Sequence, residues 1–158
     1  MMNLLKSDSS LTVSIVITVI NFHFNLAECV VFTDCGSKAA NVISVHVQNC
    51  SVDDKSCQIE TQYIDSVKFG IHFTTEIGIY DPVTSIGTAR KWGMHAQIFS
   101  NLNICNNSLS CPLQPDNHFY KDDVLVPGWV PKGEASVQWK LSSGSVEILC
   151  VEVDVNVL

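Results

Sequence analysis

The feature that most constrains this chain is an alternation of apolar and polar residues with a period of two. Near the end of the chain, Val151, Val153, Val155 and Val157 alternate with Glu152, Asp154 and Asn156. Successive side chains of an extended strand point to opposite faces, so such a run buries one face and wets the other. The same pattern sets Val137, Trp139 and Leu141 against Gln138 and Lys140, and Val67, Phe69, Ile71 and Phe73 against Lys68, Gly70 and His72. Ile43, Val45 and Val47 repeat it around Ser44 and His46. Turn-forming clusters separate the runs: Asp53-Asp54-Lys55, Asp81-Pro82, Pro112 to Asn117, Pro127-Gly128, Pro131-Lys132-Gly133 and Ser142-Ser143-Gly144. No stretch with a helical period is long enough to expect a helix. About seven or eight short strands at this spacing predict an all-β fold, an antiparallel sandwich or barrel.

The first residues read differently. Lys6 lies in a short polar start, an apolar run follows from Leu11 to Ile20, and Asn21, His23 and Asn25 interrupt it. A membrane-spanning helix needs about twenty apolar residues, which these polar side chains prevent. A secretory signal needs only about seven to fifteen, followed by a small-x-small exit, and Ala27-Glu28-Cys29 supplies one. Residues 1–29 are therefore expected to be a signal peptide, and residues 30–158 one domain.

The cysteines fit export. There are seven, and cleavage after Cys29 removes the odd one, leaving Cys35, Cys50, Cys57, Cys105, Cys111 and Cys150 for three bridges. Pairing near neighbours joins Cys50 to Cys57 and Cys105 to Cys111, and leaves Cys35 with Cys150, but spacing alone leaves other pairings open. Zinc is disfavoured, because no Cys-x-x-Cys occurs and an oxidising compartment converts thiols to disulfides. Asn49-Cys50-Ser51 and Asn106-Asn107-Ser108 are N-glycosylation sequons at Asn49 and Asn106. The formal net charge of −7 becomes −6 once Lys6, Asp8 and Glu28 are removed. That balance speaks against nucleic acid and anionic headgroups as partners, since both call for clustered Lys and Arg.

An ordered set of motifs carries a resemblance. Phe32-Thr-Asp-Cys-Gly-Ser37 is followed by Cys50 and Cys57, then by Cys105 and Cys111-Pro-Leu113. Pro131, Val137-Gln-Trp-Lys-Leu141 and Ile148-Leu-Cys150 complete the pattern. From about residue 30 to its end the chain resembles the ML lipid-recognition domain family, in particular its Niemann-Pick type C2 branch and the arthropod members of that branch. Glu60 to Asp65 and residues 75–90 depart from the family pattern. The resemblance implies the pairing Cys35–Cys150, Cys50–Cys57 and Cys105–Cys111. It also implies an immunoglobulin-like sandwich whose sheets splay around an internal hydrophobic cavity. Members of the family bind sterols, fatty acids, other lipids or hydrophobic semiochemicals, and no cofactor is implied. Counting from Pro131 places Val126 and Val130 at the cavity entrance, and counting from Gly93 places Ile98 or Phe99 at its mouth. Phe69, Phe73, Trp139 and the valine faces are the expected walls, because a lipid site needs apolar sides with few polar groups.

No enzyme is expected. The chain has no Gly-x-Ser-x-Gly, no His-Glu-x-x-His and no phosphate-cradling glycine loop. His46, His72, His95 and His118 are scattered, and Asp122-Asp123 reads as a loop rather than a catalytic carboxylate pair. The expected function is a soluble carrier, secreted or lysosomal, for a sterol, fatty acid or similar molecule, exchanging it with a membrane protein or receptor. The alternatives are a lipid-presenting protein in immune signalling and a carrier of semiochemicals.

Overall fold

The computed structural model describes residues 29–61, 66–105, 107–126 and 130–158. Apart from Cys29, the expected signal segment lies outside these residues, as does the sequon residue Asn106. Ten strands follow in chain order: β1 (Cys29–Val30), β2 (Thr33–Asp34), β3 (Ala40–Val47), β4 (Cys57–Ile59) and β5 (Ser66–Thr75). Then come β6 (Thr84–Lys91), β7 (Met94–Asn101), β8 (Asp116–Leu125), β9 (Gly133–Ser143) and β10 (Val146–Val157). They form two sheets: β1-β3-β5-β8, and β2-β10-β9-β6-β7 with β4 running parallel to β10. Neighbouring strands are otherwise antiparallel. The architecture is an immunoglobulin-like β-sandwich: all-β, as the alternation predicts, and of the form that the family resemblance implies.

The alternation becomes burial directly. Val151, Val153, Val155 and Val157 are all buried, while Glu152, Asp154 and Asn156 face outward. Glu152 meets Arg90 of β6 at 3.0 Å and accepts from Gln138 of β9 at 3.2 Å. Burial alone would raise its carboxyl, but hydrogen bonds from Ser136 and Arg90 outweigh that and hold it below the usual range.

Two expectations about local structure are corrected. Ile43 is 47% exposed rather than in the core. Pairing between β3 and β5 passes from Val42↔Phe73 to Ser44↔His72, so Ile43 is the extra residue of a bulge and turns outward. Asp122 and Asp123 are not in a loop but in β8, an edge strand. The period of two sends Asp122 inward beside Tyr120 and Val124, and leaves Asp123 in solvent.

Three cystine bridges close the sandwich: Cys35–Cys150, Cys50–Cys57 and Cys105–Cys111, with Cα separations of 5.0, 5.2 and 5.2 Å. Cys35–Cys150 sits at the β2–β10 edge, where Ser37 accepts from the Cys150 amide at 3.0 Å. Asp34 caps the same turn, its Oδ1 accepting from the amides of Gly36 and Ser37 at 2.8 Å. Cys29 is exposed and outside any bridge, consistent with its being the odd cysteine.

Candidate functional site

The space between the sheets is filled at one end and hollow at the other. In the filled half Ile71, Phe73, Leu141, Leu149 and Val151 have no solvent exposure at all. In the other half lies a cavity of about 110 Å³ lined only by apolar side chains. One sheet supplies Val47, Val67, Phe69, Val124 and Leu125 to its wall, and the other Ala89, Ile98, Val137, Trp139 and Val153. Val126 and Val130 add to the lining from the two ends of the connection between β8 and β9, and Ile59, Ala135, Val155 and Val157 complete it. Leu125 is 70% exposed, so this end is where the lining meets solvent. Dry voids of about this size with aliphatic and aromatic walls take up small hydrocarbon guests.

The boundary between the halves is an aromatic layer. Phe69 of β5 and Trp139 of β9 stack face to face across the sandwich, with centroids 3.7 Å apart and rings 2° from parallel. Phe99 packs against the indole at 4.1 Å, and Tyr120 meets it edge-on at 6.2 Å. The sequence makes room for these rings on the inner face of β6, where Ser85, Gly87 and Ala89 follow at a period of two. Gly87 lies opposite Trp139 in register, and a Cβ there would overlap the Phe99 ring.

Polar groups run beneath the layer. The Trp139 Nε1–H donates to Ser85 Oγ at 2.9 Å. Ser85 Oγ lies 3.0 Å from the Tyr120 hydroxyl, which is 2.8 Å from Asp122 Oδ2. A phenol has one proton, and the carboxylate accepts it more strongly. The Ser85 hydroxyl therefore donates to the Tyr120 oxygen, giving a directed chain Trp139→Ser85→Tyr120→Asp122. Burial, reinforced by the Asp122 carboxylate, raises the Tyr120 pKa well above the ordinary tyrosine value, so the phenol keeps its proton. Because the indole N–H is used here, Trp139 presents only carbon to the cavity.

The residues singled out in the sequence fall into two sets. Phe69, Ile98, Val126, Val130 and Trp139 come together around the cavity. Phe73 does not: it lies two turns of the pleat deeper than Phe69, in the filled half, against His118 at 5.4 Å. Phe99 is not in the lining either; its ring backs Trp139. The pairing of β6 with β7 jumps from Gly87↔Phe99 to Thr88↔Gln97, leaving Ile98 as the extra residue. That bulge lets neighbours Ile98 and Phe99 both serve the interior. Asn49 lies in an exposed turn with φ of 63°, a conformation that Asn tolerates. Ser85, Gly87 and Ala89 were not foreseen, because small residues carry almost no hydrophobic signal.

Comparison with known proteins agrees with this geometry. A Drosophila melanogaster protein described as NPC intracellular cholesterol transporter 2 homolog a is 26% identical over 137 residues, spanning 80% of this chain and 86% of its own length. The crystal structure of a Niemann-Pick type C2 protein from Japanese carpenter ant superposes with a TM-score of 0.72 at 19% identity, covering 82% of this chain and all of that one. The C-terminal domain of Wzt shares the fold more distantly, with a TM-score of 0.51 at 14% identity over 80% of this chain and 78% of its own. The ML domain family model matches residues 29–157, so the chain belongs to the ML domain family.

Proposed function

We propose that this protein is a soluble carrier that holds one sterol, fatty acid or comparable hydrophobic molecule between its two sheets. The observation that carries this reading is the all-apolar cavity of about 110 Å³ at the hollow end of an ML domain. A void in a sandwich forfeits dispersion contacts that a filled core would make, and an apolar guest restores them. A guest of about 25 heavy atoms is larger than this void, so it binds by parting the sheets at their hollow end; at about −0.3 kcal/mol per atom its affinity is near −8 kcal/mol, which is micromolar. The fly relative's description as a cholesterol transporter supports the same class of ligand. The three cystines fit a secretory, extracellular or lysosomal compartment. A carrier of this kind gives up its load to a membrane or a receptor.

Phe69, Ile98, Val126, Val130 and Trp139 are the proposed ligand contacts. Val126→Asp tests them, because a carboxylate at the mouth must be desolvated against the guest. The expected loss is about 3 kcal/mol, on the order of a hundredfold in dissociation constant. Displacement of a fluorescent sterol or fatty-acid probe measures it, with circular dichroism to confirm folding. Asp154→Asn, on the outer face of β10, serves as the control that leaves affinity unchanged. Unaltered probe affinity in a folded Val126→Asp protein removes this residue from the site.

A further inference from the structure

We infer that Ser85 is a positioning residue that holds the Trp139 indole back from the cavity and thereby sets how long an apolar chain the site accepts. The inference rests on the reading of the cavity as a hydrophobic binding site, and deepens it from a class of ligand to a measure of length.

Three strands independently place the floor at one level. On β5, Val67 lines the cavity and Ile71 does not, with Phe69 between them. On β9, Val137 lines it and Leu141 does not, with Trp139 between. On β6, Ala89 lines it and Ser85 does not, with Gly87 between. The floor is therefore the Phe69–Trp139 stack, and its position depends on the orientation of one indole. Below that indole the core is filled by side chains with no exposure, so a released ring has free volume only on the cavity side. Phe69 and Phe99 pack against its faces, and the one polar tie on the floor side is the 2.9 Å bond from its N–H to Ser85. Ser85 is itself 0% exposed and fixed by Tyr120, which is anchored on Asp122. Thr75 is the other buried polar residue among those described, and its hydroxyl donates to the Gln114 carbonyl at the far end. Beside the cavity, Ser85 and Tyr120 place their hydroxyls in the core, and Ser85 is the one that accepts from the floor.

A rigid floor is preorganised, so a guest need not push it aside on entry. Without Ser85 the indole N–H has no acceptor at the floor, and the ring can tilt into the void, whose solvent-exposed end beside Leu125 gives the N–H access to water. The cavity then shortens. Guests that reach only partway are unaffected, whereas those that reach the floor lose their last methylenes. Each buried methylene is worth a factor of about four in affinity.

The test compares the full chain with its Ser85→Ala variant across a homologous series of straight-chain fatty acids, by probe displacement. In the wild type, affinity rises with each methylene to a limiting length and then levels. In Ser85→Ala the plateau should come at a shorter chain, costing the longest acids about tenfold or more, equivalent to two methylenes, and sparing the short ones. Tyr120→Phe keeps the Ser85 hydroxyl but cuts its tie to Asp122, so it should move the plateau the same way by less; it also stands in if Ser85→Ala does not fold. An unmoved plateau, or an equal loss at every length, overturns the inference. A second readout needs no ligand: the indole N–H proton resonance, assigned with Trp139→Phe, should be protected from exchange in the wild type and exposed in Ser85→Ala. If no acid binds the wild type but that resonance still changes, the positioning role stands and the carrier reading falls. If the resonance is unchanged, the positioning role falls.

Discussion

Removing the Cys35–Cys150 bridge with paired alanines should lower the stability by about 5 kcal/mol, the largest effect of any change considered. The bridge spans 115 residues, so opening it frees the unfolded chain more than opening either small ring. It also ties the N-terminal strand β2 to β10, where the ladder pairs only Asp34 with Val151 and Thr33 with Glu152. Without the bridge, that edge is held only by hydrogen bonds, among them Cys35 N–H to the Cys150 carbonyl at 3.0 Å and Ala39 N–H to the Ile148 carbonyl at 3.1 Å. Alanine is the right replacement because Cys150 is fully buried and a serine hydroxyl there would need a partner. The Cys105–Cys111 ring, with a separation of 6, should cost only about 2 kcal/mol when opened in the same way. Denaturant unfolding of the two double variants gives the ranking. A larger loss from the small ring would contradict it.

Trp139→Ala should destabilise the fold by about 3–5 kcal/mol, the range for truncating a large buried aromatic. Its indole is 2% exposed, and it stacks on Phe69, supports Phe99 and donates to Ser85. Alanine removes all of these contacts, joins the vacated volume to the existing cavity, and leaves Ser85 without its donor. The filled half on the far side cannot collapse into the gap, so the cost should fall toward the upper end of the range. Denaturant midpoints measured at constant m-value decide the point. A change below about 1 kcal/mol would mean that the aromatic layer does not bear on stability.

Much of the fold could be read from the period of two, and the departures from it have local causes. The valines of β10 and the Val137-Trp139-Leu141 face were legible because these strands have one dry and one wet face along their length. β8 was not, since an edge strand needs less apolar side chain, and its Asp116 and Asn117 read as turn and its Asp122-Asp123 as loop. β6 was missed for the opposite reason. Its inner face is Ser85, Gly87 and Ala89, chosen small so that Trp139 and Phe99 fit, and small residues leave no alternation to detect. Ile43 followed the apparent period and still faces solvent, because a bulge shifts the phase by one residue.

The site was legible only as a list of inward apolar residues. Phe69 and Phe73 share a strand and a face, yet one borders the hollow half and the other is packed against His118. Nothing in period or composition separates them, because the difference lies in what the opposite sheet places across the gap. Opposite Phe69 stands Trp139, held by Ser85; beyond it the facing side chains meet and the void ends.

Native mass spectrometry of the intact protein, incubated with a defined mixture of sterols and fatty acids, tests the carrier reading most directly. One cavity between two sheets predicts a single lipid adduct per chain, lost in the Val126→Asp variant. A folded wild-type protein that stays unliganded in that mixture, or that takes up several lipids without regard to Val126, would contradict it.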